Sequence, residues 1–210
     1  MAAVPPIKRV YERFNPKGIL DRTTSVGQIA TNDFFLDFDD PANERNFYRW
    51  TSLTYELQSV CASCRGGRYY PLTLPSGALD GECRPDNSLP ANNFFEYECE
   101  SFCWDYFVGT DLHIFSDVYT DGNTQQDVPV AQVPLYQRNP CLVVIQQTGL
   151  SANAYRYLKL IQDQSVNTGT LADTPPAPIQ GNLTRLDNPS ELTIGYFGAS
   201  QVEEYRYRLS

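Results

Sequence analysis

Thiols are the side chains of this chain best suited to covalent or metal chemistry. Six cysteines, Cys61, Cys64, Cys83, Cys99, Cys103 and Cys141, form an even set, and five of them fall between positions 61 and 103. That stretch is rich in turn residues, as in Arg65-Gly66-Gly67, Asp80-Gly81 and Leu89-Pro90-Ala91-Asn92-Asn93. A segment with weak local structure gains most from crosslinks, so disulfides using all six cysteines in an oxidising compartment are the expected chemistry. Cys61-x2-Cys64 and Cys99-x3-Cys103 also suit a four-cysteine zinc site with two thiols left over, and mostly free thiols are a third possibility. Disulfides are preferred, no metal is assigned, and the pairing stays open.

Acid–base and nucleophilic catalysis have little material. His113 is the one histidine, and neither His-Glu-x-x-His nor Gly-x-Ser-x-Gly occurs. His113 sits in an apolar strand pattern and is read as a packing residue, because nothing nearby in sequence would orient its tautomer. A hydrolase that works with two carboxylates needs no motif, and Asp105 with Asp111, or Glu96 with Glu98, are the pairs to nominate. Nothing selects either pair over solvated surface acids, so no catalytic residue and no cofactor is assigned and an enzyme is not expected.

Calcium has a better case. Asp37, Asp39, Asp40, Asn43 and Glu44 place five oxygen donors at a strand end, which suits a hard cation, although a turn satisfied by its own backbone is the preferred reading. A second acidic loop, 117–127, contains Asp121-Gly122 but puts Tyr119 and Val128 where an EF-hand needs ligands, so that motif is rejected. Aromatics are the preferred binding candidates. Tyr69 and Tyr70 beside Arg65 and Arg68, and Phe94, Phe95 and Tyr97 with Trp104, lie in or beside the loop-rich segment, where rigid side chains meet a glycan, peptide or protein. The competing reading is that they cover the disulfides as a local core.

The elements that must carry these residues are mostly strands. With 210 residues, 14 Tyr, 11 Phe and 2 Trp, and with Lys only at Lys8, Lys17 and Lys159, the composition favours pleated, half-buried strands over surface helices. Phe34, Leu36 and Phe38 alternate with Asp33, Phe35 and Asp37, and the run ends in the turn Asp39-Asp40-Pro41. Residues 47–60 alternate again. Short extended runs are expected at 103–109, 112–119 and 126–135, a Pro-initiated edge strand at 4–11, and a central strand at 141–147. Ser151 caps a helix over about 151–165 that Asn167 and Gly169 end, and a Pro-rich connector at 173–178 leads to a last strand at 192–200. The expected fold is mainly β: one domain over 1–210, an antiparallel immunoglobulin/fibronectin-III-like sandwich, with a Cys-rich insertion at 61–103 and one helix before the last strand.

Net charge is −9 and no Lys/Arg run stands out, so the electrostatic term that drives nucleic-acid binding is missing. No stretch approaches the ~18 apolar residues of a membrane span, and the first residues lack the basic and apolar regions of a signal peptide.

One further pattern extends along the chain. An apolar strand from Cys141, Ser151-Ala152-Asn153-Ala154-Tyr155 opening a helix, Pro176-Ala177-Pro178-Ile179-Gln180-Gly181-Asn182, Asn188-Pro189 and Gly195-Tyr196-Phe197-Gly198-Ala199-Ser200 follow in order. Upstream come Pro5-Pro6-Ile7, Phe38-Asp39-Asp40-Pro41 and Phe47-Tyr48-Arg49-Trp50. In order and spacing the chain resembles the domain of unknown function 4249 family of Bacteroidota, in its C-terminal half, with the Cys-rich middle only loosely matched. The resemblance implies an exported outer-membrane lipoprotein, on the cell surface or in the periplasm. Its lipidated cysteine and N-terminal half would lie outside this chain, and the membrane would be reached only through that anchor. It also implies association with a TonB-dependent outer-membrane receptor and a surface or nutrient-uptake role, so the expected function is to bind a nutrient or a partner protein, that receptor or another envelope protein, with the glycan or peptide suggested by the aromatics as a further ligand. It supplies a location and no catalytic motif.

Overall fold

Period-two alternation in the apolar residues builds the molecule. A computed structural model describes residues 4–20, 27–73, 79–135, 140–166, 179–188, 190–191 and 193–209. Its strands are β1 (Ile7–Leu20), β2 (Gln28–Asp39), β3 (Phe47–Arg65), β4 (Gly67–Thr73), β5 (Leu79–Pro85), β6 (Phe94–Val108), β7 (His113–Ser116), β8 (Thr124–Pro134), β9 (Cys141–Gly149) and β10 (Val202–Leu209). One helix, α1 (Ala152–Val166), lies between β9 and β10. The strands form sheets in the orders β1-β2-β8, β10-β9-β3-β6 with β7 also on β3, and β4-β5. The β1–β2, β2–β8, β3–β7 and β4–β5 ladders are antiparallel. The mainly β, one-helix fold expected from composition is therefore the fold observed.

The chain divides into two compact units, residues 1–54, 107–138 and 142–209 in the first, and 55–106, 139–141 and 210 in the second. The expected insertion, 61–103, falls inside the second.

In the first unit, Phe34, Leu36 and Phe38 of β2 are completely buried, as their shared parity requires. They meet the opposite sheet through aromatic rings. Phe38 lies 5.1 Å from Tyr48, 5.9 Å from Trp50 and 6.1 Å from Phe115, and Phe34 lies 5.4 Å from Tyr207. Each such side chain contributes roughly 1.5–3 kcal/mol on burial. Two polar side chains between the sheets are joined: Trp50 Nε1 donates to Gln147 Oε1 at 2.9 Å, and Gln147 Nε2 donates to the Pro5 carbonyl at 2.9 Å. As the sequence suggests, β1 is at an edge and β9 is interior, with Val143, Val144 and Ile145 buried.

Ser151 caps α1, its Oγ accepting the Ala154 amide at 3.2 Å, and Tyr155 stacks on Phe47 with centroids 4.8 Å apart. The expected helix end at Asn167 and Gly169 and the connector at 173–178 lie outside the described residues. The last strand needs correction. Residues 193–200 form no strand, and β10 follows at Val202–Leu209. Gly195 adopts φ +150°, a conformation reserved for glycine that breaks a ladder, whereas Tyr205, Tyr207 and Leu209 alternate with Glu204, Arg206 and Arg208.

The second unit has its own hairpin, β4 on β5, pairing Tyr69 with Cys83 and Tyr70 with Glu82. Gly66 turns the chain from β3 into β4 at φ +56°, and a Cβ there would stand 2.7 Å from the Ala91 carbonyl oxygen. Its amide donates to the Asn93 carbonyl at 2.8 Å and its carbonyl accepts from the Asp86 amide at 3.1 Å, so one glycine anchors both ends of the segment 86–93.

Candidate functional site

The cysteines come first, because they are the chemistry that sequence singled out. Cys64 and Cys83 form a disulfide between β3 and β5, with Cα atoms 5.4 Å apart. Cys61 is also disulfide-bonded, while Cys103 and Cys141 are free thiols. The side chain of Cys99 lies outside those described. The expectation that all six cysteines are crosslinked is corrected at Cys103 and Cys141, and sheet order gives the reason. β3 separates β6 from β9, so Cys103 and Cys141 are at least two strand spacings apart, about 9.6 Å or more, beyond the ~7 Å that a disulfide spans. Burial, with the nearby Glu56 carboxylate, pushes the Cys141 thiol up to about 11. The Cys103 thiol instead lies 2.9 Å from Cys61 Sγ, to which it is the only possible proton donor.

The six candidate aromatics separate into two groups. Phe95, Tyr97 and Tyr69 are half-buried; Tyr97 and Tyr69 lie 6.3 Å apart, and the Tyr97 hydroxyl donates to the Gly67 carbonyl at 3.0 Å. These make a local core. Tyr70, Phe94 and Trp104 are exposed, at 44%, 69% and 51%. Tyr106, which the sequence reading passed over, is exposed at 63%. Phe107, at 47%, is exposed as well, so from Trp104 to Val108 both faces of β6 are open, and the run of large apolar residues Trp104, Tyr106, Phe107 and Val108 was the available signal. β6 is also terminal in its sheet order.

The nominated acids do not converge into a described site. Glu96, Glu98, Asp105 and Asp111 are exposed, and Asp105 Oδ1 accepts the neighbouring Tyr106 amide at 2.9 Å. His113 faces Trp50 across the β3–β7 ladder. Burial holds its pKa below the ordinary value, Asp111 opposing, and its Nε2 is buried without a partner. That is the environment of a neutral packing histidine.

Two acids of the first acidic loop are committed to ion pairs. Asp37 binds Arg9 at 2.8 Å and accepts the Asp127 amide at 3.0 Å, while Asp39 binds Lys8 and accepts the Thr124 hydroxyl at 2.6 Å. Asn43 and Glu44 are exposed. Asp40, 5% exposed and outside those ion pairs, turns toward the second acidic loop. There Asp117 is fully buried and Asp121 exposed, and oxygens of Asp40, Asp117 and Asp121 all lie within 4.8 Å of one another. Tyr48 Oη donates to Asp40 Oδ1 at 2.9 Å and the Gly122 amide to Asp40 Oδ2 at 3.2 Å. The Asn46 amide donates to Asp117 Oδ2 at 2.7 Å, and the Asn43 amide to Asp121 Oδ2 at 3.3 Å. Burial first, and then the charges of Asp117 and Asp121, raise the Asp40 carboxyl above the ordinary carboxylate range. Reading the two loops separately missed this cluster; a repeated Asp at each loop was the signal.

A family match extends over residues 2–206, to the family described as Domain of unknown function (DUF4249). The chain belongs to the domain of unknown function 4249 family. No curated protein and no solved structure matches it. For this family member, the described residues thus offer three features: an exposed aromatic row on β6, a thiol against a disulfide sulfur, and a three-carboxylate cluster. Among the described residues no helix is long and apolar enough to cross a membrane.

Proposed function

We propose that this chain is a non-catalytic, exported lipoprotein domain of the cell envelope that binds a partner protein in association with a TonB-dependent outer-membrane receptor. The observation that carries the reading is the exposed row Phe94, Trp104 and Tyr106 on a strand that ends its sheet. Large aromatics in solvent on a terminal strand are costly for a monomer and are the residues that dominate protein interfaces. Family membership supports the envelope setting, on the outer-membrane surface or in the periplasm, through the resemblance to Bacteroidota lipoproteins. The sheet orders β1-β2-β8 and β10-β9-β3-β6 support an immunoglobulin/fibronectin-III-like sandwich, since they run as A-B-E and G-F-C-C′ with Trp50 buried on the third strand.

A carboxylate-based carbohydrate-active or metal-dependent hydrolase is the competing class. It would draw on Asp40 and Asp117, but both are buried, and a catalytic centre needs a position open to substrate. The test is capture of the full-length lipoprotein from its native membrane. The receptor should co-purify, and replacing Phe94, Trp104 and Tyr106 by Ala should weaken its retention about 30-fold or more, as loss of interface anchors does. Absence of any receptor, or undiminished capture by the triple variant, would sink the proposal.

A further inference from the structure

Two loops of the first unit, one between β2 and β3 and the other between β7 and β8, bring three carboxylates together. We propose that Asp40, Asp117 and Asp121 form a calcium site that ties these loops to each other.

Distance is the first argument. Oxygens on opposite sides of a calcium ion stand up to about 5 Å apart, because each lies about 2.3–2.6 Å from the metal. The three carboxylates meet within 4.8 Å, so one calcium ion reaches all of them. Magnesium keeps several of its waters and takes one or two carboxylates, whereas calcium accepts a larger set of protein oxygens. An all-oxygen set also disfavours zinc, which draws on nitrogen and sulfur.

The second argument does not depend on the clustering. Asp117 is completely buried, and its Oδ1 is buried with no hydrogen-bond partner. Native interiors rarely leave such an oxygen unpaired, since its desolvation is uncompensated. Its other oxygen is held by the Asn46 amide, so the side chain is fixed with its free oxygen available to a ligand. Thr120 Oγ1, on the same turn, is likewise buried and unpartnered, a further oxygen of the kind calcium takes.

Charge is the third argument. The neighbouring acids Asp37 and Asp39 are neutralised by Arg9 and Lys8, yet none of the described ion pairs reaches Asp40, Asp117 or Asp121. Three carboxylates held this close repel one another, and a divalent cation removes that repulsion.

The test uses the purified chain, freed of metal with a chelator and titrated with calcium or magnesium chloride. A saturable, one-to-one calcium heat is expected, with a rise in Tm of about 5 °C at saturation and a weaker response to magnesium. Asp117→Asn keeps an oxygen for the Asn46 amide, so it should fold while binding calcium at least about tenfold more weakly, and Asp121→Asn, at an exposed position, should weaken binding similarly. Asp111→Asn, outside the cluster, should bind as the parent does. Terbium luminescence sensitised by Tyr48, whose hydroxyl touches Asp40, would report the same site. Absence of a calcium response at millimolar concentration, equal affinity for magnesium, or undiminished binding by both cluster variants overturns the proposal.

Discussion

The first unit buries Phe34, Leu36, Phe38, Tyr48 and Trp50, with Phe38, Tyr48 and Trp50 packed ring to ring, whereas in the second Cys64 is the one fully buried apolar side chain among the described residues. Both are antiparallel β-structure, and they even draw on the same strands, with residues 47–54 of β3 in the first unit and 55–65 in the second. Up to Thr54, β3 alternates half-buried with buried positions; beyond Glu56 the buried class recurs only at Cys64. Pleated strands are therefore not what distinguishes the units. A segment of this size buries a small fraction of its surface, and crosslinks then supply what apolar contact does not. In this segment Tyr70, Phe94 and Trp104 stay exposed.

The sharpest way to break this comparison is in the rings. Trp50→Ala should cost about 3–5 kcal/mol by urea unfolding, since it opens a cavity beside Phe38 and leaves Gln147 without its partner. A midpoint that barely moves would show that the aromatic core does not hold the first unit. Removing the crosslink with Cys64→Ala and Cys83→Ala should cost about 3 kcal/mol, as for a loop of 19 residues. Hydrogen exchange should localise that loosening to residues 55–106, and equal loosening of β2 and β9 would erase the contrast between the units.

The smallest effect sharpens the picture locally. With the Cys141 thiol held at about 11 by burial, its alkylation rate should climb about tenfold per pH unit from pH 8 toward that value. A rate that is flat with pH would remove burial as the cause. The same shift links to stability: the unfolded thiol ionises first, so the contribution of Cys141 is full below the reference value of 9.0 and is lost as pH rises through about 11.

Strand faces were legible where every second residue was apolar. Phe34, Leu36 and Phe38 share a face because parity depends only on the chain, and the helix start at Ser151 was legible because a cap is contacted within three residues. The last strand was displaced because apolar residues at 192–200 outweighed the glycine conformation at Gly195, while the alternation from Val202 was hidden by its charged outer positions. Among the aromatics, Tyr97 is half-buried with its hydroxyl bonded and Trp104 is exposed. Their places along β6 separate them, since the odd positions Phe95 and Tyr97 are covered whereas both faces are open from Trp104 to Val108.

By itself the sequence determined a mainly β, acidic chain with one helix, a crosslinked segment after the third strand, and membership of its family, since those rest on composition, local periodicity and the order of short motifs. Tertiary structure decided the rest. Which thiols pair depends on whether a strand lies between them, as β3 does between Cys103 and Cys141. Likewise, Asp40 meets Asp117 and Asp121 only because β2–β3 and β7–β8 turns come together, a contact between residues more than 70 positions apart that no local pattern encodes.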